Sequence, residues 1–166
     1  MQKRSLYFVC PTDCLEAIIN RSFGGKNYYH TSLGNSVVFD GKTTTHIKGL
    51  ILKYKITEVS FVLSLTNPII HDALANQDFS DIRGLNNLYH QVLMQKRYSE
   101  VLYRAHNRDF TILSYHLNKK IKELLLVLQG SHMEELSIVG RIYCKQKKTF
   151  DKIYPDLVCT EYFSLN

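Results

Sequence analysis

The sequence predicts one α/β domain over residues 1–166, with a mixed, mostly parallel central sheet and helices on its faces. The first observation is an apolar, β-branched run at residues 59–65, which is typical of a strand buried on both faces. The second is that this run passes directly into a helix start, where Asn67 offers an N-cap and Pro68 a first helical residue. The third is the alternation of strand and helix patterns, which ends in two strands joined by a short turn.

The other elements follow from caps, turns and apolar spacing. Asp13 with Glu16 three residues later resembles an acidic capping box and predicts a helix start. Thr45 is a second predicted cap, because apolar residues follow it at helical spacing, and Asp109 is a third. Gly130 is expected to end the last helix. The predicted strands are residues 6–10, 28–30, 59–65, 136–144 and 149–154, and the predicted helices are 13–20, 45–54, 68–76, 85–104 and 109–129.

Composition limits the class of protein. Hydrophobic residues make up 45% of the chain and charged residues 22%, which is ordinary for a globular domain. No apolar run approaches the ~20 residues that cross a bilayer, and the first ten residues contain an apolar stretch too short for a secretory signal. We therefore expect a cytoplasmic protein without a membrane partner.

The net charge and the cysteines give weaker signals. Lys and Arg number 21 against 15 Asp and Glu, which gives a net charge of +6. The basic residues are scattered except at residues 145–148, which indicates a solvated surface. Nucleic acid therefore ranks last among the expected partners. The four cysteines, Cys10, Cys14, Cys144 and Cys159, lack the spacing of a disulfide scaffold and are expected to be free thiols.

Four short segments stand out in order along the chain: residues 10–14 (CPTDC), 31–35 (TSLGN), 64–69 (SLTNPI) and 140–144 (GRIYC). With these segments, the chain resembles the beta-class carbonic anhydrases over roughly residues 6–154. In that family the corresponding motifs are Cys-x-Asp-x-Arg, Arg-Asn-Ala-Gly-Asn, Gly-His-x-x-Cys-Gly and Gly-x-x-Tyr-Asp. The best matches are Gly34 with Asn35, and Gly140 with Tyr143. The resemblance implies the family's α/β fold and a homodimer whose cleft lies between two subunits.

The same resemblance implies where a zinc site would lie, and the residues there have changed. Family members bind zinc through two cysteines and one histidine, with an Asp–Arg pair beside the bound hydroxide. Cys10 matches the first ligand, but Leu65 stands at the histidine position and Pro68 at the second cysteine position. Thr12 and Cys14 occupy the Asp and Arg positions, although a shift of one residue brings Asp13 close to the former. The resemblance therefore implies a degenerate zinc site in these segments.

Three hypotheses follow. The first is a carbonic-anhydrase-like pseudoenzyme without zinc or another cofactor, which acts as a binding, regulatory or structural module for an unknown protein or small anion. The second is an enzyme with a metal site rebuilt from Cys10, Cys14 and His71, with His46 a further donor, or with a small-anion site. The third is nucleic-acid binding. Asp13, Gly34, Asn35, Tyr28 and His30 are the predicted pocket residues in either of the first two cases.

Overall fold

The computed structural model describes residues 2–102, 107–131, 133 and 135–155. Its centre is a five-stranded sheet with the strand order β2-β1-β3-β4-β5. The first four strands, β1 to β4, run parallel to one another, and β5 runs antiparallel to β4. This arrangement confirms the predicted mixed, mostly parallel sheet. The strands are β1 (Arg4–Val9), β2 (Lys26–Thr31), β3 (Glu58–Ser64), β4 (Ser137–Cys144) and β5 (Thr149–Lys152).

Helices follow the parallel strands in the order that the alternating pattern predicts. Two short 3-10 helices at Pro11–Asp13 and Leu33–Asn35 follow β1 and β2. No helix within the described ranges is long and apolar enough to cross a membrane. The α-helices are α1 (Glu16–Ser22), α2 (Gly41–Tyr54), α3 (Pro68–Leu74), α4 (Leu85–Leu102) and α5 (Arg108–Leu128).

The two faces of the sheet are covered unequally. Successive side chains of a strand point to opposite faces, so one face carries Phe8 and Phe61 and the other carries Tyr7 and Val62. The first face packs against α2, α3, α4 and α5 and forms the larger core. The second face packs mainly against Leu15 and Ile19 around the short α1. Every residue of β3 is buried, as its continuous apolar run predicts.

Three predicted helix starts were wrong, because the capping side chains have other partners. Asp13 ends a 3-10 helix, and α1 begins three residues later, after Cys14 in a left-handed conformation (φ 52°). Asp40 rather than Thr45 caps α2: the Asp40 carboxylate accepts a hydrogen bond from Thr43 N (2.7 Å). The Thr45 hydroxyl instead donates to Gly41 O one turn back (2.8 Å). Asp109 lies in the first turn of α5, two residues after the N-cap position, which Asn107 occupies.

The buried centre of β3 should dominate stability. Phe61 is fully buried and stacks on Phe8 with ring centroids 4.6 Å apart. Phe61→Ala should lower the free energy of unfolding by roughly 3–5 kcal/mol, because it removes apolar contacts and leaves a cavity. The matched control is Phe79→Ala, since Phe79 is 44% exposed and should change stability by less than about 0.5 kcal/mol. Urea denaturation measures both, and equal losses would contradict the core described here.

Candidate functional site

The carboxyl ends of the parallel strands lie at one edge of the sheet, where α/β proteins place their ligands. Cys10 follows β1 at this edge and is fully buried. Its Sγ accepts a hydrogen bond from Gly34 N (3.1 Å) and lies 3.0 Å from the Thr12 hydroxyl oxygen. The thiol therefore already has two partners within the fold.

Gly34 and Asn35, two of the predicted pocket residues, lie beside Cys10 and hold the strand ends together. Gly34 has φ +59°, and a Cβ there would come within 2.8 Å of Leu88 Cδ2, so only glycine fits this position without strain. The buried Asn35 side chain donates from Nδ2 to Phe8 O in β1 (3.3 Å) and to Val62 O in β3 (3.0 Å). The match of these two residues to the family motif thus reflects a structural requirement.

Asp13 joins the end of β1 to the start of α3. Its carboxylate accepts hydrogen bonds from Ser64 N (2.8 Å) and from Asn67 Nδ2 (2.9 Å). The Asn67 side chain in turn accepts from Ile70 N (3.0 Å) and caps α3, as its sequence predicts. Burial raises the pKa of Asp13, and these hydrogen bonds only partly offset the increase. Both carboxylate oxygens are therefore engaged within the fold.

The two positions after β3 that the resemblance assigns to zinc ligands carry no metal donor. Leu65 is half-buried, packs against the larger core, and donates from its backbone N to Tyr143 O (2.9 Å). Pro68 is exposed and forms the first turn of α3. Cys14, at the position of the family's arginine, is exposed, and its thiol lies 3.5 Å from Pro11 O. Among the positions that the resemblance assigns to zinc ligands, Cys10 alone has a side chain that can bind a metal.

The residues considered for a rebuilt metal site are not brought together. His71 is half-exposed on α3, with Nε2 3.8 Å from an Asp109 carboxylate oxygen, and His46 is exposed on α2. Within the described ranges, no group of three or more His, Cys, Asp or Glu side chains is arranged to hold a metal ion. Cys159 lies outside those ranges. The described side chains therefore do not fit a zinc ion.

Tyr28 and His30 lie on the edge strand β2, on the face that packs against α2. Tyr28 stacks on Tyr54 with centroids 4.4 Å apart, and the His30 ring lies 5.0 Å from that of Phe8. Burial, and secondly the charge of His46, lowers the pKa of His30. These are contacts between packed aromatic side chains. Such packing is the alternative to a role for Tyr28 and His30 in lining a pocket.

His116 and Lys120, one turn apart on α5, are buried polar residues that the sequence analysis missed. His116 Nε2 donates to Gly34 O (2.7 Å), and burial, with a smaller effect of the Lys120 charge, lowers the pKa of His116 to about 3. Lys120 Nζ donates to Val37 O (2.9 Å) and to Glu123 Oε2 (2.8 Å). The available signal was a pair of polar residues spaced i, i+4 on the apolar face of a predicted helix.

The neutral state of His116 predicts a pH-dependent stability. Its folded pKa of about 3 lies below the ordinary histidine pKa of 6.5, so its contribution to stability is complete above pH 6.5 and is lost as the pH falls toward 3. His116→Gln keeps an N–H for Gly34 O but cannot titrate. The stability difference between the original chain and this variant should shrink by up to about 1.4 kcal/mol per pH unit within that window. Urea denaturation at several pH values measures it.

The control for this prediction is His90→Gln, because His90 lies on the exposed side of α4. This variant should keep the pH dependence of the original chain. Parallel stability curves for His116→Gln and the original chain would show that His116 does not titrate as described.

Comparison with solved structures identifies the fold. Wild-type CafD, a beta-carbonic anhydrase of Aspergillus fumigatus, superimposes with a TM-score of 0.69 at 16% identity, over 92% of this chain and 90% of that chain. A beta-carbonic anhydrase of Sordaria macrospora, described as tetrameric, gives 0.66 at 16% identity over 92% and 81%. The Coccomyxa enzyme in complex with acetazolamide gives 0.69 at 11% identity over 92% and 72%.

At the level of sequence, neither a protein-family model nor a curated protein matches this chain. The structural matches nevertheless cover nearly all of it, with sheet and helices in the same arrangement. The chain therefore has the fold of the beta-carbonic anhydrases, as the resemblance of its four short segments predicts.

Proposed function

We propose that this protein is a divergent relative of the beta-carbonic anhydrases that has lost the zinc centre and acts as a non-catalytic binding, regulatory or structural module. The observation that carries the proposal is the pair Leu65 and Pro68, which occupy the positions that the resemblance assigns to the family's histidine and second cysteine ligands. A catalytic zinc ion needs three protein ligands and one open position. Neither side chain has an electron pair to give to a metal.

The surrounding chemistry supports the same proposal. Cys10 Sγ accepts a hydrogen bond from Gly34 N, and the Asp13 carboxylate accepts from Ser64 N and Asn67 Nδ2. A metal that recruited Cys10 or Asp13 would have to share these acceptor atoms with the hydrogen bonds or displace them, and a buried donor left without a partner costs about 1–3 kcal/mol. The two residues serve as parts of the scaffold in this proposal.

An enzyme with a rebuilt metal or small-anion site is the competing hypothesis. It requires Cys10, Cys14 and His71 to converge, yet the Cys14 thiol lies beside Pro11 O and His71 lies beside Asp109. Because these contacts keep the candidate ligands apart, we favour the non-catalytic proposal. The competing hypothesis predicts that replacement of Cys10 by Ala abolishes metal binding or activity.

Metal content and carbon dioxide hydration test the proposal directly. Protein purified without chelators should contain far less than one zinc ion per chain and should hydrate carbon dioxide no faster than buffer. Elemental analysis and stopped-flow assays make the two measurements. About one tightly bound zinc per chain, together with hydration that Cys10→Ala abolishes, would overturn the proposal and favour the rebuilt site.

A gain-of-metal variant tests the positional match to the family. Leu65→His with Pro68→Cys restores the two missing ligands, and Cys10 supplies the third. On this proposal the double variant should bind about one zinc ion per chain, because residues 10, 65 and 68 then supply the three ligands of the family's site. The matched control adds Cys10→Ala and should lose this zinc. A folded double variant that takes up no zinc would show that residues 65 and 68 do not correspond to the family's ligands.

We also propose that the chain forms a homodimer. The support is the two-subunit cleft implied by the resemblance, the tetrameric state given for the similar Sordaria macrospora protein, and large apolar side chains at the surface. Val38 and Leu52 are each 65% exposed, and Leu126 is 63% exposed. Light scattering coupled to gel filtration should give twice the chain mass, and a monomer at micromolar concentration would contradict this proposal.

The physiological partner in this proposal is an unknown protein or a small anion. Nucleic acid is the third and last candidate. The exposed turn at residues 145–148 joins β4 to β5 and carries three lysines, but a solvated turn explains it equally well.

A further inference from the structure

The sheet face beneath α1 carries a row of buried polar side chains. Tyr7 in β1 is the register partner of Ser60 in β3, and Ser5 is the partner of Glu58. Tyr7 and Ser60 are fully buried and Ser5 is 1% exposed. Groups with this burial must find hydrogen-bond partners or lose stability.

Arg141 crosses this row from the neighbouring strand. It is the register partner of Val62, yet its Nη2 reaches Glu58 Oε1 (3.4 Å), four residues earlier in β3. The side chain therefore runs along β3 above Ser60. Its guanidinium carbon lies 5.0 Å from the centroid of the Phe23 ring, which follows α1 and covers the row.

The Tyr7 hydroxyl reaches the same place from the other side. Burial raises the pKa of Tyr7, which keeps its hydroxyl protonated and able to donate. The nearby Ser5 hydroxyl offsets this increase in the pKa only in part, and the two hydroxyls are not in hydrogen-bonding geometry. Because Ser5 is the register partner of Glu58, the Tyr7 hydroxyl and the Arg141 guanidinium approach the same rung of the sheet.

Three polar atoms in this space have no hydrogen-bond partner among the described residues. They are Tyr7 Oη, Ser60 Oγ and Arg141 Nη1, and each is inaccessible to bulk solvent. The guanidinium nitrogen can only donate, whereas each hydroxyl can donate and accept. A species that both accepts and donates has the hydrogen-bonding capacity to serve all three atoms.

We propose that Tyr7 Oη, Ser60 Oγ and Arg141 Nη1 form a buried water-binding site beneath the Phe23 ring. A water molecule can accept from Arg141 Nη1 and Tyr7 Oη and donate to Ser60 Oγ, which gives the roughly three hydrogen bonds typical of a buried water. An inorganic anion suits the site less well, because the Glu58 carboxylate already lies against Arg141 and would repel it.

Removal of single hydroxyls distinguishes a hydrated site from a dry one by the sign of the effect. Tyr7→Phe and Ser60→Ala should each raise the unfolding equilibrium constant roughly two- to tenfold, since each removes a hydrogen bond to the water. In a dry site the same changes would remove an unpaired polar group and lower that constant. A lowered constant for both variants would overturn the proposal.

Tyr29→Phe is the matched control for size and location. Tyr29 lies beside Tyr7 on the neighbouring strand, and its hydroxyl already donates to partners, with Asn20 Oδ1 at 2.7 Å. The change in the unfolding equilibrium constant caused by Tyr29→Phe measures the contribution of a hydrogen-bonded hydroxyl in this region. Tyr7→Phe should change that constant in the same direction and by a similar factor.

A double-mutant cycle tests whether the two hydroxyls share one ligand. Tyr7→Phe with Ser60→Ala should raise the unfolding constant by less than the product of the single effects, because the second change acts on a site already disrupted. A simple product would contradict a shared water. Chloride and fluoride at equal ionic strength should give the same stability, and a chloride-specific gain that Ser60→Ala removes would identify an anion site instead.

A high-resolution crystal structure provides a test that needs no variant. It should contain solvent density within hydrogen-bond distance of all three atoms. A site closed by direct contacts between Tyr7, Ser60 and Arg141, with no solvent between them, would overturn the proposal.

Discussion

The structure depends on the hydrogen bonds that the Gly34–Asn35 segment makes at the carboxyl ends of β1 and β3. The Asn35 amide donates to a carbonyl of each strand, and the two peptide groups of Gly34 join Cys10 on one side to His116 on the other. Each of these groups is buried, so the loss of one partner leaves another polar atom unpaired in a medium of low polarity. The left-handed backbone of Gly34 and the nearby Leu88 side chain make the segment intolerant of a larger residue. One turn of 3-10 helix thereby fixes the edge of the sheet and the position of α5.

Much of the fold could be predicted from the sequence because its signals are local. The continuous apolar run of β3, and Asn67 with Pro68 at the start of α3, act over a few residues, and the structure confirms both. Asp13 shows the limit of this approach. Its spacing to Glu16 indicated a helix cap, but its carboxylate binds Ser64 and Asn67, more than 50 residues away. Long-range partners of this kind leave no periodic trace in a single sequence.

The candidate site was predictable in part for the same reason. The resemblance to the beta-carbonic anhydrases indicated which positions matter, and the structure brings Cys10, Asp13, Gly34 and Asn35 to the same edge. The structural roles of these four residues could be assigned only from their contacts in the folded chain. His116 carries no sequence motif, because a histidine on an apolar helix face is ordinary until its Nε2 is found on Gly34 O and its ring fully buried. Tyr28 and His30 were placed correctly on a strand, but their aromatic contacts follow from the packing of α2.

On the proposed function, hydrogen bonds at the carboxyl edge hold together the segments that a zinc ion would otherwise join. A zinc ion held by Cys10 and by residues 65 and 68 would join the end of β1 to the segment after β3. In this chain Asp13 joins these two segments, because its carboxylate accepts hydrogen bonds from Ser64 N and Asn67 Nδ2. Asn35 joins β1 to β3 themselves. Hydrogen bonds to a carboxylate contribute about 1.5–3 kcal/mol each, far less than the ~10–16 kcal/mol of a structural zinc ion, but several of them act together. The scaffold can therefore keep its shape with Leu65 and Pro68 in place of ligands, and the edge is free to serve another partner.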